Sequence, residues 1–197
     1  MSMEFIVVDV ETANRNPGSI CQIGLANFRD GSLSGLWGTL VNPEDSFSAT
    51  NIAIHGIRPA DVINAPNWVG IQDELRTRFA DQILASHTYF DFRAIRIANE
   101  RYGVAHLPRK KWVDTCKVAR AAWPHLPSHK LSRLAHAFGI SYHAHDANED
   151  ARCAGQILLL AAQTAGLSLE EFLREDSGSI SVGRGGTIIE AAAVARF

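Results

Sequence analysis

The 197-residue chain is short of cysteine, carries no excess of either charge and has no long apolar run; each shortage removes a class of protein. Its three cysteines, Cys21, Cys116 and Cys153, are far apart and form no C-x-x-C pair. That spacing argues against a disulfide framework or a structural zinc site, and the three read as reduced, mostly buried thiols of a cytoplasmic protein. With 19 Lys and Arg against 21 Asp and Glu, well mixed, the chain lacks the broad basic surface that holds nucleic acid by neutralising many phosphates. A nuclease whose phosphate contacts pass through divalent ions is still allowed. No apolar run approaches the roughly 20 residues of a spanning helix. The first nine residues run into an apolar strand without the basic start and cleavage pattern of a leader peptide, so a soluble protein with no membrane partner is expected.

What is present is enough apolar composition, 46%, for one domain with a buried core. Phe5 to Val8, Ile20 to Phe28 and Leu36 to Val41 read as strands, with Asp30-Gly31 as a hairpin turn between the last two. Helical patterns follow over Asp61 to Val62, Pro66 to Phe79, Asp91 to Tyr102, Asp114 to Ala122, Leu131 to Phe138 and Asp146 to Thr164. Short strand candidates, Gln82 to Ser86 and Lys111 to Val113, lie between them. Strands first, then alternating strands and helices, give an α/β fold with a mixed central sheet. Residues 1–175 form the expected domain. The Gly- and Ser-rich stretch 176–186 reads as a linker, and 187–197 as a short apolar tail, either frayed or used for docking.

Three places carry chemistry. In Asp9-Val10-Glu11 the carboxylates are two apart, so on a strand they share one face; side by side they repel, and a divalent cation would relieve that repulsion. Asp91, after the strand ending at Ser86, stands where an N-cap is common, as does Asp114, which reads as a cap alone. In His145-Asp146-Ala147-Asn148-Glu149-Asp150, Asp146 and Glu149 have capping-box spacing. His145 and Asp150 then occupy the two staple positions, so an imidazole and a carboxylate emerge together at a helix entrance.

In order and character these segments resemble the DEDDh exonucleases. Asp9-Val10-Glu11-Thr12 matches the family's D-x-E-T, Phe90-Asp91 its F-D, and His145, Ala147, Asp150 and Ala151 its H-x-A-x-x-D-A; the likeness spans about residues 4 to 165. The resemblance implies a ribonuclease H-like, three-layer fold with a mixed central sheet flanked by helices. It also implies a 3′→5′ exonuclease with two Mg²⁺ or Mn²⁺ ions held by Asp9, Glu11, Asp91 and Asp150, and His145 as general base. Ile54-His55-Gly56-Ile57 is similar to the family's I-H-G-I segment, which makes His55 and Ile57 candidates for contacting terminal bases. Val10 and Thr12 are candidates for the terminal nucleotide, and Phe90 for its sugar or base. The four tryptophans read as packing residues. One departure stands out: His87 occupies the family's asparagine position before F-D, which alters local hydrogen bonding but not the metal ligands.

The expected partners are 3′ ends of single-stranded DNA or RNA, with a polymerase or a second copy of the chain as further possibilities. DNA is favoured, in repair or proofreading. RNA trimming is the alternative within the enzyme class, and a non-catalytic interaction module the alternative outside it.

Overall fold

The computed structural model describes residues 4–166. The linker and tail expected over 176–197, and the last part of the expected 1–175 domain, lie outside the described residues. Three strands open the fold: β1 (Glu4–Thr12), β2 (Ile20–Arg29) and β3 (Ser32–Leu40). Asp30 and Gly31 both take positive φ, 50° and 79°, the conformation a two-residue hairpin turn requires. There follow α1 (Ala49–His55), α2 (Pro59–Val62), α3 (Gln72–Phe79), β4 (Ile83–Ser86), α4 (Phe90–Arg101), β5 (Lys111–Asp114), α5 (Thr115–Ala122), α6 (Leu131–Ala137) and α7 (Ala147–Ala165). The sheet order is β3-β2-β1-β4-β5. β1 pairs antiparallel with β2 and parallel with β4, and β4 parallel with β5, the mixed sheet that the strand order predicts.

β1 is apolar on both faces because helices cover both. Phe5 and Val7 pack, with Phe28 of β2, against Ala151, Ala154, Ile157 and Leu158 of α7 and Val118 of α5. Ile6, Val8 and Val10 face the other way, onto Leu75 and Phe79 of α3 and Ala94, Ile95 and Ala98 of α4. Since alternate strand residues share a face, Asp9 and Glu11 continue the side covered by α7.

Helix α7 comes unusually close to the sheet. A Cβ on Gly155 would stand 2.1 Å from the Phe28 ring, and one on Gly24 would stand 2.2 Å from the Ala147 backbone. Gly24 is paired with Asp9 across the β1–β2 ladder. The missing side chain on β2 therefore sets the first residue of α7 directly beside the carboxylates.

Several boundaries differ from the sequence reading. α3 begins at Gln72 rather than Pro66, because the Asn67 side chain accepts from the Gly70 N–H at 3.1 Å and Asn67 bridges to Asn42, which holds a turn there. α1 was not expected at all. None of its residues is buried, so it shows no apolar period; Ser48 caps it by accepting from the Asn51 N–H at 3.1 Å. Asp91 is not a cap: α4 starts one residue earlier, and the Thr88 hydroxyl accepts from the Phe90 N–H at 3.2 Å. Asp114 does cap α5, accepting from Lys117 N–H at 2.9 Å. Trp68, Trp112 and Trp123 are buried, and Trp37 is half-buried beneath Arg78.

Gly24→Ala has a backbone, not a flexible side chain, to displace. It should cost about 1–3 kcal/mol, or about 2–12 °C of Tm for a domain of this size. Gly35→Ala, whose Cβ would meet nothing nearer than 3.7 Å, should stay within about 0.5 kcal/mol. Thermal melts of the two variants test the argument; equal losses would sink it.

Candidate active site

The C-terminal end of β1 sits between an antiparallel neighbour and a parallel one, so the chain changes direction there and a crevice opens beyond the strand ends. Asp9 and Glu11 project into it from β1. Asp91 enters from the first turn of α4: it is 4% exposed, and its carboxylate accepts from the Val10 N–H at 3.1 Å. Asp150, 8% exposed, enters from the first turn of α7. All four carboxylates expected as metal ligands thus meet at one crevice.

His145 arrives through the turn before α7. Asp146 caps that helix, accepting from the N–H groups of Asn148 and Glu149. The returning half of the expected capping box is replaced by Glu149 pairing with Arg152 at 2.8 Å. His145 itself has φ +66°, an uncommon conformation for a residue with a side chain. Its N–H donates to Asp150 Oδ2 at 2.9 Å, while its ring stays 54% exposed with Nδ1 4.0 Å from Glu11 Oε1. The backbone of His145 therefore holds Asp150, and its side chain faces Glu11. One ligand atom from each of Glu11, His145 and Asp150 lies within 4.8 Å of the others.

Burial and mutual repulsion dominate the electrostatics. Desolvation, then the charges of Asp91, Asp150, Glu11 and Asp146, hold the Asp9 carboxyl well above its usual range. Burial and the charges of Asp150 and Asp91 push Glu11 from 4.5 up to about 8. Asp91 rises from 3.8 to about 7, chiefly by burial, against the pull of the Val10 N–H. Asp150 is raised by burial too, opposed by the His145 N–H. Four carboxyl groups in this state resist full ionisation unless a cation joins them. An oxygen-rich donor set fits Mg²⁺ or Mn²⁺ better than zinc.

A second group of predicted residues surrounds the end of β1. His55, at the C-terminus of α1, has Nε2 3.1 Å from the Thr12 carbonyl oxygen, and its Nδ1 accepts from the Ile57 N–H at 3.0 Å. Those partners fix the neutral Nε2–H tautomer, and burial lowers the ring's pKa, with His145 adding to the effect. Ile57 is buried with Ala13, Cys21 and Val62, whereas Ile54 is 49% exposed. Val10 points into the core on the opposite face, and its N–H is taken by Asp91. Thr12 is buried. Phe90 is exposed beside Asp91.

Two further neighbours carried no motif. Asn51 Nδ2 donates to the Thr12 carbonyl at 2.7 Å; the Ser48-x-x-Asn51 capping pattern was its only signal. The Tyr142 phenol is pushed up to about 12 by burial and the charges of Asp150, Cys153 and Asp9, which places it at the edge of the cluster. His87 is fully engaged: Nδ1 lies 2.9 Å from Thr115 Oγ1, and Nε2 2.9 Å from the His129 carbonyl oxygen. The imidazole therefore ties the loop before α4 to both ends of the α5 region, and burial lowers its pKa.

The exonuclease family RNase T matches residues 6–158. The chain belongs to this exonuclease family. The resemblance read from the D-x-E-T, F-D and H-x-A-x-x-D-A segments is borne out, and the protein is a nuclease. A curated relative, the 3′-5′ exonuclease DinG of Staphylococcus aureus strain MRSA252, is 28% identical over 161 residues, covering 80% of this chain and 18% of that protein. The chain thus matches under a fifth of that relative's length. Exonuclease X, solved with 5′ overhanging duplex DNA, superposes with TM-score 0.67 at 23% identity, over 86% of this chain and 97% of that one. Escherichia coli exonuclease I with a dT13 oligonucleotide gives 0.71 at 20% identity, over 81% and 41%. At these identities the likeness is one of fold, the ribonuclease H-like three-layer arrangement.

The raised carboxyl values set a pH dependence. Between the ordinary values, 4.5 for Glu11 and 3.8 for Asp91, and the folded ones near 8 and 7, the native chain holds protons that the unfolded chain has lost. Stability therefore falls as pH rises through this window. In chelator, Tm should drop between about pH 4.5 and 8, Mg²⁺ should restore it at pH 8, and Glu11→Gln should flatten the slope. Calorimetric melts across that range check this. A flat profile for the metal-free protein would show that the carboxyl groups are not crowded in solution.

Proposed function

We propose that the chain hydrolyses the terminal phosphodiester at the 3′ end of single-stranded nucleic acid, DNA in preference to RNA, and releases nucleoside 5′-monophosphates. The observation that carries this reading is the exposed His145 imidazole, 4.0 Å from Glu11, above a crevice of buried carboxylates. An imidazole in that position can accept a proton from a water held over the carboxylates. The DNA preference is supported by what the matched structures contain, a DNA overhang in exonuclease X and dT13 in exonuclease I. The 3′ polarity is supported by the DinG relative's description.

In this reading Asp9, Glu11, Asp91 and Asp150 hold two Mg²⁺ or Mn²⁺ ions. When bound, the ions would supply charge stabilisation for the attacking and leaving oxygens. His145 takes the proton of the attacking water as the new O–P bond forms. The P–O3′ bond breaks, and the departing 3′-oxygen ends as a hydroxyl. The Asp150 bond to the His145 N–H keeps the ring over the crevice in its left-handed turn. Phe90 offers an apolar face to the terminal base. Thr12, His55 and Ile57, locked together by Asn51 and by the His55 ring, form the wall against which the terminal nucleotide rests, with the Val10 backbone as its floor.

Matched 5′-labelled DNA and RNA oligomers, incubated with Mg²⁺, Mn²⁺ or chelator, test the proposal. A ladder shortening from the 3′ end is expected, faster on DNA, lost in chelator and lost in Asp9→Ala. His145→Ala should lower kcat about 10²- to 10⁴-fold while calorimetric Mn²⁺ affinity changes little. Shortening from the 5′ end, or turnover indifferent to chelator, would defeat the proposal; equal loss of metal affinity in His145→Ala would make His145 a ligand instead.

A further inference from the structure

Residues just beyond the crevice have no role in the chemistry above, yet they form a continuous aromatic series that runs from exposed Tyr89 through half-buried Phe92 to buried Trp112. Tyr89 directly precedes Phe90 and Asp91 and is 47% exposed. Its ring meets Phe92 edge-on at 5.3 Å, and Phe92 meets Trp112 at 5.2 Å. A cation lies over each of the first two rings: Lys117 Nζ 5.6 Å from the Tyr89 centroid, and the Arg109 guanidinium 4.6 Å from that of Phe92. Among the described residues neither Lys117 nor Arg109 is in an ion pair, and both are exposed. The series ends on a cleft of about 210 Å³ lined in part by Phe92, Leu107, Arg109 and Trp112.

Helical spacing explains the alignment. Tyr89, the N-cap of α4, is three and four residues from Phe92 and Arg93, and these are four and three from Arg96, so the four share one side of the helix start. Asp91 starts on the same turn but faces the sheet. One helix start therefore presents a buried carboxylate to the crevice and an aromatic track to solvent. Aromatic faces beside exposed cations are what a single strand recognises: bases stack on the rings and phosphates meet the charges.

We infer that Tyr89, Phe92, Lys117 and Arg109 form a guide for the nucleotides upstream of the 3′ end, gripping the substrate strand where it leaves the crevice. The inference rests on the exonuclease reading, because it takes the strand's end to lie against Phe90 and Asp91. Continuity with the crevice argues for the substrate strand as occupant. So does charge: Lys117 and Arg109 are exposed cations with no ion pair among the described residues, and a phosphate backbone offers each a partner.

The test compares two substrates of the intact chain: a single-stranded DNA 12-mer and the p-nitrophenyl ester of thymidine 5′-monophosphate, which has no upstream nucleotides. In the Lys117→Gln/Arg109→Gln double variant, KM for the 12-mer should rise about tenfold while the ester's kcat/KM stays within twofold. The salt slope of 12-mer binding should fall by about 1.4, two cations at roughly 0.7 each. Tyr89→Leu should raise the 12-mer KM comparably, and Tyr89→Phe should restore it. Equal losses on both substrates would mean a distorted crevice and overturn the guide, as would an unchanged KM for the 12-mer. A wild-type chain that cleaves neither substrate would defeat the exonuclease reading itself.

Discussion

Four carboxyl groups crowded at one end of a buried sheet repel one another, and the fold spends much of its packing on keeping them there. β1 is covered on both faces up to Val8, so its odd-numbered face carries Asp9 and Glu11 out of the core with little freedom to turn away. Asp91 is fastened to the β1 backbone through Val10, and Asp150 to the backbone of His145. Each of those N–H groups favours the ionised carboxylate, yet burial and neighbouring charge override both and all four groups are raised. Such an arrangement stores unfavourable energy in the metal-free protein and releases it when a divalent cation arrives. The same frustration that lowers stability thereby raises the affinity of the site.

The approach of α7 to the sheet is the second constraint, and it depends on the first. Asp150 reaches the cluster only because Ala147 can settle onto β2 where Gly24 has no side chain, and Gly155 lets the following turns lie on Phe28. The chain entering α7 must then turn sharply. That turn is His145, in a left-handed conformation ordinarily left to glycine or asparagine. A glycine would ease the backbone and remove the imidazole; keeping histidine accepts local strain to put an imidazole beside Glu11.

These dependencies explain what was legible in the sequence. The unbroken apolar run of β1, the Asp-Gly turn and the apolar stripe of α7 are local patterns, and they located the sheet and its covering helix. The Asp9–Glu11 pair was legible from strand alternation, and the His145–Asp150 pair from the two staple positions that flank the Asp146 cap. Asp91 stood out only through its Phe90-Asp91 likeness to the family's motif; the cap position it also suggested is not what holds it, since its partner is an N–H 81 residues away, which no window of sequence contains. Helix α1 left no periodic trace because it buries nothing. Asn51, Tyr142 and the ring of His87 act through tertiary contacts, and single residues of those types are common elsewhere in any chain.

His87 shows how such a contact shapes the site. An asparagine can offer a donor and an acceptor from one amide, but it is short; the imidazole spans from Thr115 to the His129 carbonyl with one ring. That span fixes a neutral tautomer, Nε2–H toward the carbonyl and Nδ1 accepting from the hydroxyl. It clamps the loop carrying Thr88, Tyr89 and Phe90 against the start of α5, where Lys117 lies over Tyr89. The loop's fixed course matters because Thr88 is at φ +112°, a conformation that would relax without a tie on each side. The histidine therefore sets the relation between the exposed Phe90 and the aromatic series beyond it. On the proposed reading, a near-neutral chain handles a polyanion through a few cations, Lys117 and Arg109 among them, held against rings beside the cluster.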